Sequence, residues 1–378
     1  MVRAVLVGIV VLVATATVAL AALGQPSFDA ASLAAGSALE LAPPEAPVVV
    51  PTPDEAVALD AEMQAFVEPL KTVRDPQRRL QGLIAAMESR GMFSLEYAEV
   101  TRTARDTFHD RQGNCLSFTM LFVALARAAG LRASYQSVEV PPSWSYDGTV
   151  VIATHVNTAV RTSGGVETVV DFNIRQYEGR QQSRRVDDTY ALSLFYTNLG
   201  AEALLRGDHA ASLVYLRAAA AVNSDLAGLW VNLGVLYARH GKYEHAEAAY
   251  LRALELDGTE PSALANLALV YQALGNSKLA AEYGKRVQGY RERNPYYHFA
   301  SATRAYEQQQ FEAALASVRK ALRIKPDEHE FYTLRARVQT ALGQSRDAEL
   351  SFERAREYQE AEARRTEALV ELGGLALR

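Results

Sequence analysis

A chain of 378 residues with 49% hydrophobic and 22% charged side chains is long and apolar enough for two or three globular units, which excludes a disordered polypeptide. Lysine plus arginine number 39 against 44 for aspartate plus glutamate, and the net charge of -5 offers no electrostatic footprint for a phosphate backbone, so nucleic acid is not an expected partner. The single cysteine excludes an internal disulfide framework and a cysteine-ligated zinc site.

In chain order, Ala4 to Leu23 are uncharged and apolar behind Arg3, and Ala19-Leu20-Ala21 has the small-x-small form that precedes a signal peptidase cut. Residues 1–21 are therefore expected to be a signal peptide, and the protein to be exported, either periplasmic or held at the outer face of the inner membrane. The alternative is an uncleaved membrane anchor over 4–23, which has about the length a bilayer requires. Residues 22–53 are rich in Ala and Pro, including Pro43, Pro44, Pro47, Pro51 and Pro53, and read as a linker. From Asp54 apolar residues recur at helical spacing: Leu59, Met63, Phe66 and Leu70, then Leu80, Leu83, Ile84 and Met87, then Tyr97, Val100, Ala104 and Phe108.

The run from Asn114 to Gly130 predicts a helix with both ends marked, Asn114 as N-cap and Gly130 as C-terminal stop. Cys115 then holds the first helical position, where unpaired N–H groups and the helix dipole favour a thiolate. Thr149 to Arg161 alternates as a strand with His155 and Asn157 on one face. Val166 to Asn173 predicts a second strand with Glu167, Val169 and Asp171 on one face. A three-residue hairpin loop over 162–164 would set His155 directly opposite Asp171. Nucleophile, base and orienting carboxylate thus occur in the order needed for thiol chemistry.

On these residues the segment from about Tyr97 to Arg175 resembles the transglutaminase-like superfamily, relatives of the papain-type fold. The resemblance implies Cys115 as nucleophile, His155 as the base paired with it and Asp171 as the group that holds His155. The Cys115 N–H would donate to an oxyanion, with Gln112 as a side-chain candidate for the same task. This sequence has His155-Val156-Asn157 and Asp171-Phe172-Asn173, where many relatives carry an aromatic residue soon after the histidine and a proline after the aspartate. The departure bears on substrate preference more than on reaction type. The whole domain is read as 54–188, with Ile174 to Asp188 as a solvated connection or a flap.

The remainder repeats with a period of 34, in copies 193–226, 227–260, 261–294, 295–328 and 329–362. The eighth place holds Gly200, Gly234, Ala268, Ala302 and Ala336, and the fifteenth Gly207, Gly241, Gly275, Gln309 and Gly343. Small residues recur where two helices touch, and the glycine column supplies the turn between them. The second copy, with Trp230, Leu233-Gly234, Tyr237, Ala246, Tyr250 and Ala253, is similar to the tetratricopeptide (TPR) consensus. A capping helix is expected over 363–378. Asn198, Asn232 and Asn266 share the sixth place. They form either an amide ladder that grips an extended peptide backbone in the groove, or side chains that are solvated or tie neighbouring helices.

The expected fold class is an α+β papain-like/transglutaminase-like domain (N-terminal helices plus antiparallel sheet) followed by an all-α TPR superhelix. The expected function is acyl transfer through a Cys115 thioester, by amide hydrolysis or amine transfer, with a protein or peptide partner in the TPR groove. No metal or other cofactor is implied: His240 and His245 are spaced wrongly for two ligands on one helical face. The alternative is a noncatalytic envelope adaptor whose transglutaminase-like domain is inactive.

Overall fold

The computed structural model describes residues 28–44, 47–89, 96–97, 100–138, 143–144, 150–151, 155–162, 167–171 and 183–371. The signal-peptide and anchor readings over 1–23 lie outside the described residues. Among those residues, no helix is long and apolar enough to cross a membrane.

Short helices α1 (Ala30–Ala35) and α2 (Pro53–Val57) precede α3 (Ala61–Lys71) and α4 (Pro76–Ser89). Then come β1 (Glu96–Tyr97), α5 (Ala104–Asp110), β2 (Gln112–Gly113) and α6 (Cys115–Ala128). The third amphipathic stretch is helical only from Ala104: Tyr97 lies on β1, which pairs in parallel with β2. Helix α6 is buried on almost every side from Leu116 to Ala126, as a helix apolar all round must be.

The strands that follow are β3 (Arg132–Val138), β4 (Ser143–Trp144), β5 (Val150–Val151), β6 (His155–Arg161), β7 (Glu167–Val170) and β8 (Ser183–Val186). Four of them make an antiparallel sheet in the order β7-β6-β3-β8. Alternation gives its faces different characters. Ala133, Tyr135, Val156, Val160, Val170 and Val186 enter the core that contains α6. The opposite face carries His155, Asn157 and Asp171 at one end and arginines at the other. Strand β8 corrects the plain-connection reading of 174–188 in its described part, because the backbone of 183–186 pairs with β3 from Tyr135 to Val138.

Ten helices complete the described residues: α7 (Asp188–Arg206), α8 (His209–Val222), α9 (Ala227–Arg239), α10 (Tyr243–Leu256), α11 (Pro261–Ala273), α12 (Ser277–Arg293), α13 (Pro295–Glu307), α14 (Phe311–Ile324), α15 (His329–Ala341) and α16 (Ser345–Glu371). They form consecutive antiparallel pairs. The residues of the fifteenth column stand at the turn within each pair with positive φ, at 80°, 68°, 74°, 59° and 74° from Gly207 to Gly343. Gln309, at 59°, meets the same requirement with a side chain. Helix α7 begins at Asp188, ahead of the 193 register start, capped by Asp187. No separate capping helix exists among the described residues of 363–378, because α16 runs without a break from Ser345 to Glu371. Its Glu, Ala and Arg side chains favour helix and supply no stop.

The 22–53 linker reading is corrected in its described part. Leu33 and Leu39 are buried in the main core, and α1 packs on α8 and α10. The Tyr237 hydroxyl donates to Leu33 O at 2.7 Å and that of Tyr196 to Pro51 O at 2.7 Å. Proline spacing describes local stiffness and leaves open whether an array of helices offers the segment a seat. One hydrophobic cluster runs from Leu33 through α6 and the sheet to Tyr271, and a second occupies α13 to α15.

The small column in the TPR pairs has a measurable consequence. A Cβ on Gly234 would lie 2.4 Å from Cε1 of the buried Tyr250 ring, whereas one on Gly284, inside α12, meets nothing. We expect Gly234→Ala to lower stability by about 1–3 kcal/mol, and Gly284→Ala to raise it by up to about 1 kcal/mol. Urea titration of the two variants provides the comparison; equal effects would mean that the column does not set the helix approach.

Candidate active site

The site begins at the amino end of α6. Asn114 caps the helix, its side chain accepting from Ser117 N at 3.0 Å and donating through Nδ2 to Thr101 Oγ1 at 2.7 Å. The Ser117 hydroxyl completes the clasp, accepting from Arg102 N at 2.8 Å. Gly113 is tightly seated, since a Cβ there would come 2.7 Å from Ser117 Cβ. These contacts fix Cys115 at the first helical position. Its side chain is half-buried and in no disulfide.

The imidazole comes from the sheet. His155, 1% exposed, opens β6, and its Nε2 lies 2.7 Å from Asp171 Oδ2. Asn157 Nδ2 donates to the same oxygen at 2.9 Å. The observed register differs from the expected one: β6 pairs Arg161 with Glu167 and Thr158 with Val170. Continued by the same register, Asp171 falls opposite Asn157, and His155 is its diagonal neighbour. The displacement is an even one, so all three side chains remain on one face and the imidazole still reaches the carboxylate. Asn157 was on the expected His155 face, but its role depends on the register.

Electrostatics follow from the packing. Burial disfavours the charged ring of His155, yet Asp171 and Cys115 outweigh it and raise its pKa to about 9. With Nε2 bonded to Asp171, the buried Nδ1 makes no hydrogen bond and is the ring nitrogen left over, while the closeness of Cys115 contributes to the raised pKa. Thr119 joins the two halves of the site: its hydroxyl lies 2.8 Å from Cys115 O and 3.0 Å from Val156 O. It thereby ties the first turn of α6 to the first residues of β6. No local signal in the sequence marks that tie, because it joins residues 37 apart.

The other predicted residues are placed as follows. Gln112 is half-buried on β2, its side chain making no hydrogen bond to a described residue. Asn198, Asn232 and Asn266 lie on α7, α9 and α11, all half-buried and without side-chain hydrogen bonds to described residues. Strands β4 and β5 lie against α13 and α11, the first helices of two successive pairs. The thiol-bearing part and the repeats are also linked through α6 and α7. Arg127 makes a bidentate pair with Asp188 at 2.6 and 2.8 Å, and Glu202 accepts from Thr101 N at 2.8 Å. Burial raises the pKa of Glu202, with the Thr101 bonds opposing. Among the described residues no group of three His, Cys, Asp or Glu side chains is arranged to hold a metal ion.

Residues 64–168 match the model of the transglutaminase-like superfamily, and residues 227–259 match that of the tetratricopeptide repeat. The first match includes Cys115 and His155 and ends just before Asp171. No curated protein matches the chain. Among solved structures, MamA from Desulfovibrio magneticus RS-1 is similar at 18% identity, covering 45% of this chain and 96% of that one, with a TM-score of 0.25. Another MamA crystal structure shares 16% identity over 50% of this chain and 98% of that one, TM-score 0.25. YrrB, described as a TPR protein with an unusual peptide-binding site, shares 16% identity over 47% of this chain and 91% of its own, TM-score 0.26.

Proposed function

We propose that the protein is an exported thiol acyl-transfer enzyme whose TPR array holds a protein or peptide partner. The observation that carries the reading is the buried His155–Asp171–Asn157 cluster, with the half-buried Cys115 acting on the same imidazole. Ala4 to Leu23, read as a signal peptide or anchor, supports the export element.

In this mechanism the Cys115 sulfur attacks an amide carbonyl, and the Cys115 N–H at the helix terminus donates to the developing oxyanion. The C–N bond breaks as His155 Nδ1–H passes its proton to the departing amine, leaving a thioester and a neutral ring. Water or a second amine, deprotonated by the same nitrogen, then attacks the thioester and releases the sulfur. Asp171 keeps Nε2 protonated and the ring in place throughout, and Asn157 holds the carboxylate. The array raises the concentration of its bound partner at the thiol.

The test is a peptide mixture incubated with the purified protein, with and without a primary amine, and read by mass spectrometry. Conversion of an amide to a carboxylic acid, or chain cleavage with uptake of water, identifies hydrolysis; a product in which the added amine has replaced the original one identifies transfer. Both must vanish in Cys115→Ala. Peptides captured without turnover, equally by the wild type and by Cys115→Ala, would replace the enzyme with the noncatalytic adaptor.

A further inference from the structure

The sheet face that bears His155 and Asp171 ends, at its other extreme, in a cleft lined by Arg132, Ala133, Ser134, Ala159, Arg161 and Arg185. Arg132 and Arg161 are direct partners in the β3–β6 register. Arg161 thus has a like charge opposite it on β3, which is unfavourable in an antiparallel pair, and Glu167 opposite it on β7. Neither arginine forms an ion pair with a described residue. Arg185 approaches from the far edge strand and pairs with Glu167 on the opposite edge. That ion pair spans the face above the small side chains of Ser134 and Ala159, so the floor of the cleft is low and its rim cationic.

We propose that this cleft is an oxyanion-binding site, taking a carboxylate or phosphate group between Arg132 and Arg161 with Arg185 as the third donor. Guanidinium groups offer planar, paired N–H donors that match either oxyanion, and a bound anion converts the opposed pair from a repulsive contact into a bridged one. Glu167 is then an internal competitor: its carboxylate already occupies Arg185, and an incoming anion shares or displaces it. The proposal is independent of the thiol chemistry.

The full chain is titrated with inorganic phosphate and, separately, with N-acetylglutamate at constant ionic strength, followed by calorimetry and by the shift in melting temperature. Saturable binding of either probe is expected, and the preferred one identifies the oxyanion. Arg161→Gln should weaken that binding at least tenfold while melting close to the wild-type temperature in chloride, because it removes both the repulsion from Arg132 and the attraction to Glu167 across the strands. Arg132→Gln should do the same, and guards against a folding defect in either variant. Glu167→Gln should tighten binding severalfold by freeing Arg185. Non-saturable binding of both probes, or binding unchanged in both arginine variants, would overturn the assignment.

Discussion

Replacing His155 by alanine should slow alkylation of Cys115 by iodoacetamide at pH 7 at least tenfold, and change the shape of the pH profile. In the wild type the imidazole, raised to about 9 against its burial by Asp171 and Cys115, is cationic at neutral pH and stabilises the adjacent thiolate. The wild-type alkylation profile should carry the titration of the imidazole near 9, and that step should be absent from His155→Ala.

Asp171→Asn separates charge from shape: the ring should stay seated while its titration midpoint, followed by NMR, drops from about 9 toward the ordinary value near 6.5. The linkage has a definite sign. A histidine whose folded pKa is raised contributes stability that is complete below about 6.5 and is lost as pH rises through about 9. Wild-type protein should thus lose stability between those limits, and Asp171→Asn should show a smaller loss. If neither the profile in His155→Ala nor the midpoint in Asp171→Asn moves, the three groups do not act together. For turnover, loss of the base should cost about 10²- to 10⁴-fold.

Leu33→Ala is expected to cost about 2–5 kcal/mol in urea denaturation, the range for removing a buried leucine side chain. Leu33 is 2% exposed, on a six-residue helix that cannot be stable alone; it is held by α8 and α10. Gly36 ends that helix at φ 64°, where a Cβ would strike the Leu213 side chain at 2.6 Å. Tyr237 and Tyr196 each bond a backbone carbonyl of the segment, and Phe28 lies against His245 with ring centroids 4.0 Å apart. A solvated linker would tolerate the substitution within about 0.5 kcal/mol. Because Leu33, α6 and the first repeats share one hydrophobic cluster, the loss should appear in the transition that also exposes Cys115 to alkylation, not in a separate early one.

Features governed by neighbours in the chain were legible from the residues. The two ends of α6 follow from Asn114 and from the turn at Gly130, where φ is 79°. The helix pairs follow from the 34-residue columns, since each glycine turn and each small contact position is set within one unit. That His155 and Asp171 share a face follows from the two-residue period of a strand, which an even slip in register cannot alter.

Tertiary structure decided what depends on distant partners. Strand β3 became the centre of the sheet only by pairing with β6 and β8 at once, and no local pattern specifies a pairing across that many residues. The pairing of β6 with β7 took a register that puts Asn157, rather than His155, across from Asp171. The seat for Leu33 was created by α8 and α10, more than 170 residues away. Backbone period and capping act over a few residues and are written locally, whereas burial is a property of the surface another element presents, which exists only once the chain has folded.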